Sequence, residues 1–376
     1  MFDERDYEYV VTAAGRVNII GEHVDYCGGK VFPAALSLRN AVYVRRNGTD
    51  RINISFTDIP DKVSLPIDDL ESGKSLKYGN YQAGSALMWK NAGHKLVGCD
   101  MVQDCTVPFG SGLSSSAAIE VSTIAALAVI AGEEFDPVEV ALLAQKAERE
   151  YAGVNCGIMD QYASACGKKN CAILLDCKTL EREYVPLELG EYTLVIADCK
   201  KPHSLVESKY NERRAQTEEA LKALAPVTGA TCLAEVTTVQ LEEHKGLLSE
   251  VVYLRAKHVV EECERVHLAA EAMKRGDIRE LGKLLNASHA SLRDLYEVTG
   301  KELDALASAA QSHPACLGSR MTGAGFGGCT VSIVKADAVE DFRRKVGEAY
   351  ERATGYHAKF YDSSVSDGIT VTKIEK

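Results

Sequence analysis

The stretch Pro108-Phe109-Gly110-Ser111-Gly112-Leu113-Ser114-Ser115-Ser116 leads directly into a long apolar run at residues 117–132. Glycines separated by one residue allow a tight turn in which the backbone can approach a ligand closely. The apolar run predicts a buried helix, whose first-turn N–H groups and positive dipole end would face an anion. Serine hydroxyls at this place add donors for phosphate oxygens or ligands for a metal ion. The pattern favours a phosphate-binding loop over an ordinary turn with a serine cap.

Other nucleotide-binding patterns fit the chain poorly. The Walker A motif is absent, because the nearest approach at residues 276–284 has the wrong spacing and no Ser or Thr after Lys283. The stretch GAGFGG at residues 323–328 does match GxGxxG, but it precedes an alternating strand pattern at residues 329–334. A dinucleotide fingerprint lies between a strand and a helix, so we reject Rossmann-type binding.

The length of 376 residues exceeds one ordinary hydrophobic core, so we expect two domains. We place the first at residues 1–190 and the second at residues 191–376. Near this boundary a buried strand at residues 193–197 is followed by a helical pattern from Ser204 to about Ser312. Strand-rich and helix-rich parts in succession predict an α+β fold.

Two local patterns predict shorter elements. Alternating runs at residues 41–46 and 51–56 are separated by Asn47-Gly48, which predicts a β-hairpin. Asp136-Pro137 would open a helix that reaches about Ala152, with proline at its first position.

The chain carries a formal net charge of −11, with 46% hydrophobic and 26% charged residues. This composition is typical of a soluble globular protein, and the charge argues against nucleic acid or an anionic membrane as a large partner. The first six residues, MFDERD, are acidic and lack the apolar core of a signal peptide. The 12 cysteines are scattered without a CxxC pair, as expected for reduced thiols. We therefore expect a cytoplasmic protein with no obligate protein partner evident.

Charged residues gather around a glycine near the N-terminus, where Arg16, Glu22, His23 and Asp25 lie close to Gly21. Carboxylates and neutral histidine bind sugars through paired hydrogen bonds to adjacent hydroxyls. One of these acids taken alone is more simply read as part of a solvated surface turn. The cluster as a whole favours a sugar site, and no partner at metal spacing accompanies His23.

Five segments together resemble a known kinase family. Residues 110–118 are similar to the phosphate loop of the superfamily of galactokinase, homoserine kinase, mevalonate kinase and phosphomevalonate kinase (GHMP), and residues 323–328 to its third motif. GRVNIIGEHVDY at residues 15–26 resembles the signature specific to galactokinases, as do CGIMDQ at residues 156–161 and ESKYNER at residues 207–213. The chain is identified as a member of the galactokinase family.

The resemblance implies a two-domain GHMP-kinase fold, with a mixed-sheet N-terminal domain, a ferredoxin-like C-terminal domain and the active site between them. It also implies the activity, which is transfer of the γ-phosphate of ATP to the anomeric C1 hydroxyl of galactose, giving galactose 1-phosphate and ADP. The substrates are then galactose and ATP, with Mg²⁺ as cofactor.

Residue roles follow from the same resemblance. Asp160 matches the catalytic base and Arg16 the arginine beside it, whose charge would keep the carboxylate ionised and stabilise the transferring group. For Asp160 the alternative is a helix-capping aspartate. The matched sugar ligands are Glu22, His23, Asp25, Gly157 and Tyr210. The matched nucleotide residues are Gly110, Ser111, Gly112, Leu113, Ser114, Ser115 and Ser116, with Tyr78 near adenine. The matched Mg²⁺ ligands are Ser116 and Glu148, and Glu150 would lie on another helix face.

The sequence departs from the family at three places. Tyr78 replaces a frequent Trp, Ala118 replaces a serine after the phosphate loop, and Cys27 replaces a usual Asn. N-acetylgalactosamine kinases carry Cys-Gly at this last position. If this position lies near the C2 substituent of the sugar, Cys27 would leave room for a larger group there.

Two rival functions remain open at this point. The first is an N-acetylgalactosamine kinase, against which CGIMD at residues 156–160 is the galactokinase form. The second is a catalytically inactive galactose sensor, against which the phosphate loop, Asp160 and Arg16 are all present.

Overall fold

The computed structural model describes residues 2–201 and 206–375, without the side chains of residues 206 and 207. The strands are β1 (Tyr9–Asn18), β2 (Lys30–Val31), β3 (Pro33–Arg46), β4 (Arg51–Phe56), β5 (Lys62–Pro66), β6 (Cys99–Cys105), β7 (Cys171–Asp176), β8 (Arg182–Pro186), β9 (Tyr192–Asp198), β10 (Cys316–Thr322), β11 (Cys329–Lys335), β12 (Lys359–Tyr361) and β13 (Thr370–Lys373). The helices are α1 (Asn80–Asn91), α2 (Ser115–Ala131), α3 (Pro137–Lys146), α4 (Met159–Cys166), α5 (Val206–Thr228), α6 (Thr238–His244), α7 (Glu250–Lys274), α8 (Ile278–Ser291), α9 (Gly300–Gln311) and α10 (Val339–Thr354). Within this described part, no helix is long and apolar enough to cross a bilayer.

The first sheet has the strand order β13-β1-β3-β6-β4-β5 and is covered by α2, which packs on β1 and β3. Alternate residues of β3, Val42 and Val44, are fully buried in one core cluster with Ile124 of α2. The two-residue period of a strand explains why these side chains share one face. The buried helix predicted after the phosphate loop is thereby confirmed.

A β-bulge in β1 positions Arg16. The pairing of β1 with β3 shifts between Ala14 and Arg16, which leaves Gly15 at the irregularity. A Cβ added to Gly15 would lie 2.9 Å from the carbonyl oxygen of Leu113, and the Arg16 N–H donates to that same oxygen (3.1 Å). Bulges next to functional loops redirect side chains, so backbone contacts bring Arg16 to the phosphate loop.

The hairpin predicted across Asn47-Gly48 is wrong in its pairing. The two expected runs form β3 and β4, but β6 lies between them, antiparallel to β3 and parallel to β4. The Asn47 N–H donates to the carbonyl of Gly98, immediately before β6 (3.2 Å). Turn residues predict that the chain reverses. They do not predict that β6, which begins only at Cys99, lies between β3 and β4.

The helix predicted to open at Asp136-Pro137 is confirmed. The Asp136 side chain accepts the N–H of Val138, and Pro137 is the first residue of α3. A π-helical turn, Ala147–Ala152, continues α3 to the predicted end. Such turns are frequent at functional sites, and this one carries Glu148.

The second sheet has the strand order β10-β11-β9-β12. Its elements follow a βαββαβ pattern along the chain, with α5–α9 between β9 and β10 and α10 between β11 and β12. This is the ferredoxin-like arrangement, so the predicted fold class is confirmed. The helical pattern also agrees with α5–α9, although Ser204 lies outside the described residues.

The C-terminal strand returns to the first sheet. β13 pairs with β1 from Tyr9↔Lys373 to Thr12↔Thr370. Arg39 of β3 holds the preceding turn, because its guanidinium donates to the carbonyls of Asp367 and Gly368. The chain therefore crosses back over the proposed boundary, and the division into residues 1–190 and 191–376 stays a prediction.

Gly98→Ala should destabilise the first sheet. The added Cβ would lie 1.9 Å from the carbonyl oxygen of Thr49, a backbone atom. Overpacking of this kind costs about 1–3 kcal/mol, so urea unfolding should give a free energy of unfolding lower by that amount. Gly246→Ala is the matched control, because nothing lies within 4 Å of its Cβ position, and it should stay within about 0.5 kcal/mol of the parent. Equal effects in both variants would contradict the close approach at Gly98.

Candidate active site

The phosphate loop connects β6 to α2 in a conformation that requires its glycines. Gly110 and Gly112 have left-handed φ angles of +67° and +76°. Ser114, the N-cap of α2, is also left-handed (φ +62°), and its side chain makes no capping hydrogen bond. The cap thus leaves the first-turn N–H groups of α2 to an incoming anion, as the sequence predicts.

A second glycine-rich loop, between β10 and β11, packs on the phosphate loop. A Cβ at Gly323 would lie 2.8 Å from the carbonyl oxygen of Gly112, and a Cβ at Gly328 would lie 2.8 Å from that of Ser111. Both glycines have left-handed φ angles, of +89° and +87°. Only glycine permits this backbone and this approach. The GxGxxG match therefore supports the phosphate loop and forms no dinucleotide fingerprint.

Arg16 and Asp160 form a two-pronged ion pair beside this loop. The arginine Nε and Nη2 donate to the two carboxylate oxygens of Asp160 at 2.8 and 2.9 Å. Nη1 of Arg16 donates to the carbonyl of Gly112, and the Ser114 hydroxyl donates to Asp160. Asp160 lies in the first turn of α4 but caps nothing, because the N-cap is Ile158 and no side chain caps the helix. The helix-capping alternative for Asp160 is therefore wrong.

Glu22 joins two distant parts of the chain. We call residues 21–25 the sugar segment. The Glu22 carboxylate accepts the N–H of Gly323 (2.7 Å), pairs with Arg320 (3.0 Å) and accepts the side-chain amide of Asn18 (3.1 Å). Glu22 and Arg320 are both almost fully buried. Glu22 thus has a structural role in addition to the sugar contact predicted for it.

The ring of His23 already has two partners. Nε2 lies 3.1 Å from the carbonyl oxygen of Ala324, and Nδ1 lies 2.9 Å from the hydroxyl of Tyr26. Because a carbonyl oxygen only accepts, Nε2 carries the proton and Nδ1 accepts from Tyr26, whose oxygen lies 2.7 Å from that of Tyr296. Burial lowers the pKa of His23 to about 4, so the ring is neutral. A sugar contact by this ring would require a change of partner, and its role stays a prediction.

Asp25, Gly157 and Tyr210 meet at one side of the cavity. A Cβ at Gly157 would lie 1.6 Å from a carboxylate oxygen of Asp25, so any larger residue would displace that carboxylate. Burial, followed by the charge of Asp160, raises the pKa of Asp25 to about 6. The ring of Tyr210, on α5, packs 5.6 Å from that of His23 between centroids. These contacts bring the predicted sugar ligands together.

Glu148 faces the phosphate loop from the π-helical turn. Burial, followed by the charge of Asp160, raises its pKa to about 7, although the neighbouring Ser116 hydroxyl acts to lower it. The side-chain amide of Gln161 donates both to Glu148 and to the fully buried Glu120, whose Oε1 has no hydrogen-bond partner. Hydroxyl and carboxylate oxygens are the hard donors that Mg²⁺ prefers, so the residues present fit this ion.

One cavity of about 970 Å³ contains nearly all the predicted site residues. Its lining includes Arg16, Glu22, His23, Asp25, Tyr78, Gly110, Gly112, Ser114, Ser115, Ser116, Glu148, Gly157, Asp160 and Tyr210. Ser111 and Leu113 are not in the lining. The Ser111 hydroxyl donates to the carbonyl of Pro108 (2.8 Å), and Leu113 is fully buried in the core. Tyr78 and Phe56 also line the cavity, with their ring centroids 6.3 Å apart and the ring planes tilted by 57°.

Cys27 lies away from the cavity. It is buried, and its sulfur lies 3.8 Å from the carbonyl oxygen of His23. It is also absent from the cavity lining. The condition under which Cys27 would leave room for a C2 substituent is therefore not met, because the thiol packs behind the sugar segment and does not border the cavity.

Comparison with known proteins defines the class first. Residues 80–168 match the family described as GHMP kinases N terminal domain, and residues 269–352 match GHMP kinases C terminal. A mevalonate kinase structure, at 17% identity, has a TM-score of 0.68 over 95% of this chain and 99% of its own, and shares the fold. The fold and the paired glycine loops are those of a GHMP small-molecule kinase, an ATP-dependent enzyme.

The particular family follows from closer matches. Residues 1–46 match the Galactokinase galactose-binding signature. The galactokinase of Clostridium tetani is 44% identical over 94% of this chain and 91% of its own, and that of Clostridium acetobutylicum is 44% identical over 97% and 95%. A Lactococcus lactis galactokinase, crystallised with galactose, is 40% identical, with a TM-score of 0.94 over 98% of this chain and 96% of its own. The chain belongs to the galactokinase family, as the sequence motifs predict.

Several residues of the site were missed by sequence reasoning. Tyr26 and Tyr296 fix the ring of His23, and Gln161 bridges Glu148 and Glu120. Tyr26 and Gln161 each lie next to a predicted site residue in the sequence, which is a usable signal. Tyr296 carries no such signal, because it lies in the π-helical turn Leu292–Tyr296 after α8, and only the packing of this turn against α7 brings it near the sugar segment.

Asp25→Asn should stabilise the ligand-free protein at alkaline pH. Since burial and then the charge of Asp160 raise the pKa of Asp25 from 3.8 to about 6, its contribution to stability is present below about pH 4 and is lost as the pH rises through 6. The gain in free energy of unfolding at pH 8 should be at most about 3 kcal/mol and should shrink toward pH 4 in urea titrations.

Asp61→Asn, at an exposed position, provides the control and should show no such trend. An Asp25→Asn variant that is less stable than the parent at pH 8 would show that the charge of this carboxylate is well compensated.

Proposed function

We propose that this galactokinase phosphorylates the C1 hydroxyl of galactose with Asp160 as the base. The observation that supports this most is the Arg16–Asp160 pair, which lies between the phosphate loop and the sugar segment in one cavity. The products are galactose 1-phosphate and ADP.

Asp160 accepts the proton of the C1 hydroxyl as that oxygen bonds to the γ-phosphorus and the bond to the β–γ bridging oxygen breaks. Phosphoryl transfer proceeds through a loose transition state, so positioning and charge stabilisation supply most of the rate. Arg16 holds both carboxylate oxygens and so fixes the direction of the base. The Ser114 hydroxyl donates a further hydrogen bond to the same carboxylate and so helps to hold its orientation.

Glu22, Asp25, His23, Gly157 and Tyr210 bind the sugar in this proposal. The Asp25 carboxylate faces the cavity directly above Gly157, where it can accept from hydroxyls. A site built to hydrogen-bond hydroxyls discriminates strongly against epimers, which direct one hydroxyl elsewhere and so leave a buried acceptor unpaired.

The phosphate loop holds ATP through the N–H groups of the first turn of α2, and Tyr78 stacks near the adenine. Ser116 and Glu148 would hold Mg²⁺, which supplies charge stabilisation for the phosphates when bound.

We also propose a cytoplasmic location, since the 12 cysteines of the chain are all free thiols. The rival assignments, an N-acetylgalactosamine kinase and an inactive sensor, are not favoured by the comparisons.

Asp160→Asn should lower turnover about 10²–10⁴-fold with galactose, because a general base contributes that much to the rate. The affinity for galactose, measured by calorimetry, should change far less.

The parent should phosphorylate galactose faster than N-acetylgalactosamine, glucose and mevalonate in side-by-side assays. Near-parental turnover in Asp160→Asn would remove Asp160 as the base, and faster phosphorylation of N-acetylgalactosamine would overturn the substrate assignment.

Glu148→Gln should raise the Mg²⁺ concentration for half-maximal activity, because it removes a charged oxygen ligand while keeping the side-chain shape. Galactose affinity without nucleotide should barely change. Glu150→Gln is the matched control at an exposed position two residues on, and its Mg²⁺ titration should equal that of the parent. If the Glu148→Gln titration is also unchanged, the carboxylate ligand lies elsewhere, and Glu120 is the next candidate.

A further inference from the structure

Helix α7 contacts the backbone of the sugar segment with one face. The Nε2 atom of His258 lies 3.1 Å from the carbonyl oxygen of Glu22, and Oε1 of Glu262 accepts the N–H of Gly21 at 3.0 Å. One turn further, Cγ2 of Val266 lies 2.7 Å from the position of a Cβ at Gly21. Residues four apart lie on the same face of a helix. The helix therefore grips the two residues Gly21 and Glu22 at three successive turns.

The backbone of the sugar segment needs such support. Gly21 has φ of +102° and His23 has φ of +61°, so two of three consecutive residues are in the left-handed region. A non-glycine residue in that region is strained, and its surroundings must hold it there. Glu22 lies between them, and the direction of its carboxylate depends on how this backbone is held.

The contact from His258 is a directed hydrogen bond. The carbonyl oxygen of Glu22 only accepts, so Nε2 of His258 carries the proton, and Nδ1 accepts from the hydroxyl of Ser291 at 2.8 Å. Burial lowers the pKa of His258 to about 4, which keeps the ring neutral. The ring also packs 4.5 Å from that of Tyr296 between centroids. Both the tautomer and the orientation of the ring are thereby determined.

The contact from Glu262 is a charge-assisted hydrogen bond. Oε1 also accepts the hydroxyl of Ser288 at 2.6 Å, and Oε2 pairs with Nε of Arg265 at 2.6 Å. Glu262 is fully buried. Burial raises the pKa of this carboxyl, but the positive charge of Arg265 and its other partners outweigh burial and lower it to about 2. An ionised acceptor therefore meets the Gly21 N–H, and such bonds are stronger than neutral ones.

We propose that His258 and Glu262 are positioning residues for sugar binding, which hold Gly21 and Glu22 so that the sugar segment keeps its binding geometry. This inference rests on the proposed function of the segment. Neither residue lines the cavity, so both act through the backbone of the segment. His258 and Glu262 belong to α7, which starts about 230 residues after the sugar segment. They contact two adjacent residues of a strained turn.

The test compares His258→Gln with His258→Asn. Glutamine places an amide N–H near the position of Nε2, whereas asparagine reaches only the position of Nδ1, and both lose the ring packing equally. His258→Asn should raise the KM for galactose about two- to tenfold, the value of one lost hydrogen bond, and His258→Gln should stay within about twofold of the parent. The KM for ATP should change less than about twofold in both variants.

His267→Asn, on the exposed face of the same helix, is the control and should leave both KM values unchanged. An equal rise in galactose KM for the Asn and Gln variants, or a parallel rise in ATP KM, would overturn the proposal. Ser291→Ala serves if His258→Asn does not fold, because it removes only the hydroxyl that orients His258. It should raise the galactose KM with little effect on the KM for ATP, and an unchanged galactose KM would also overturn the proposal.

Hydrogen exchange separates failure of this proposal from failure of the proposed function, since it needs no activity. Amides of residues 19–25 should exchange faster in ligand-free His258→Asn than in His258→Gln, while the first sheet is unaffected. Equal exchange would overturn the positioning role. If the parent does not phosphorylate galactose but the exchange difference is present, the substrate assignment fails and the positioning role stands.

Discussion

The geometry of the cavity depends on the ion pair and hydrogen bonds of the buried Glu22 carboxylate. It pairs with Arg320 at the end of β10 and accepts the N–H of Gly323 in the second glycine loop, while Asn18 of β1 donates to its other oxygen. A buried ion pair adds little net stability, but loss of one partner leaves an uncompensated charge and costs about 3–5 kcal/mol. The pair therefore fixes where the second glycine loop meets the sugar segment, and with it the distance between sugar and phosphate sites.

The cavity is acidic, although the proposed function places an anionic nucleotide in it. Asp25, Glu148 and Asp160 share it, and burial together with the charge of Asp160 raises the pKa of Asp25 to about 6 and that of Glu148 to about 7. Arg16 pairs directly with Asp160, and its charge also acts to lower the pKa of Asp25, but burial and the charge of Asp160 outweigh this effect. The repulsion between these carboxylates lowers the stability of the ligand-free protein. The same charges favour the binding of a cation together with the substrate. In the proposed function the phosphates bind to backbone N–H groups, which carry no net charge and so do not neutralise the carboxylates.

Local patterns predicted the elements of the fold well where neighbours along the chain decide the conformation. Left-handed Gly110 and Gly112, the buried helix α2 and the capped start of α3 at Asp136 all follow from residues within one turn of each other. The hairpin failed because β6 enters between β3 and β4. No residue near Asn47 carries that information, since the inserted strand belongs to a later part of the chain.

The sequence by itself determined the chemistry of the site, because glycines, carboxylates and the arginine have their properties wherever they are placed. Of the site residues that the motifs predicted, 14 line one cavity. Only the tertiary structure decided how each side chain is used. It placed Cys27 behind the sugar segment, bound both nitrogens of His23, and brought His258 to the carbonyl of Glu22 across 236 residues. The packing of distant segments determines which hydrogen-bond partners meet, whereas local propensity depends only on residues nearby in the sequence.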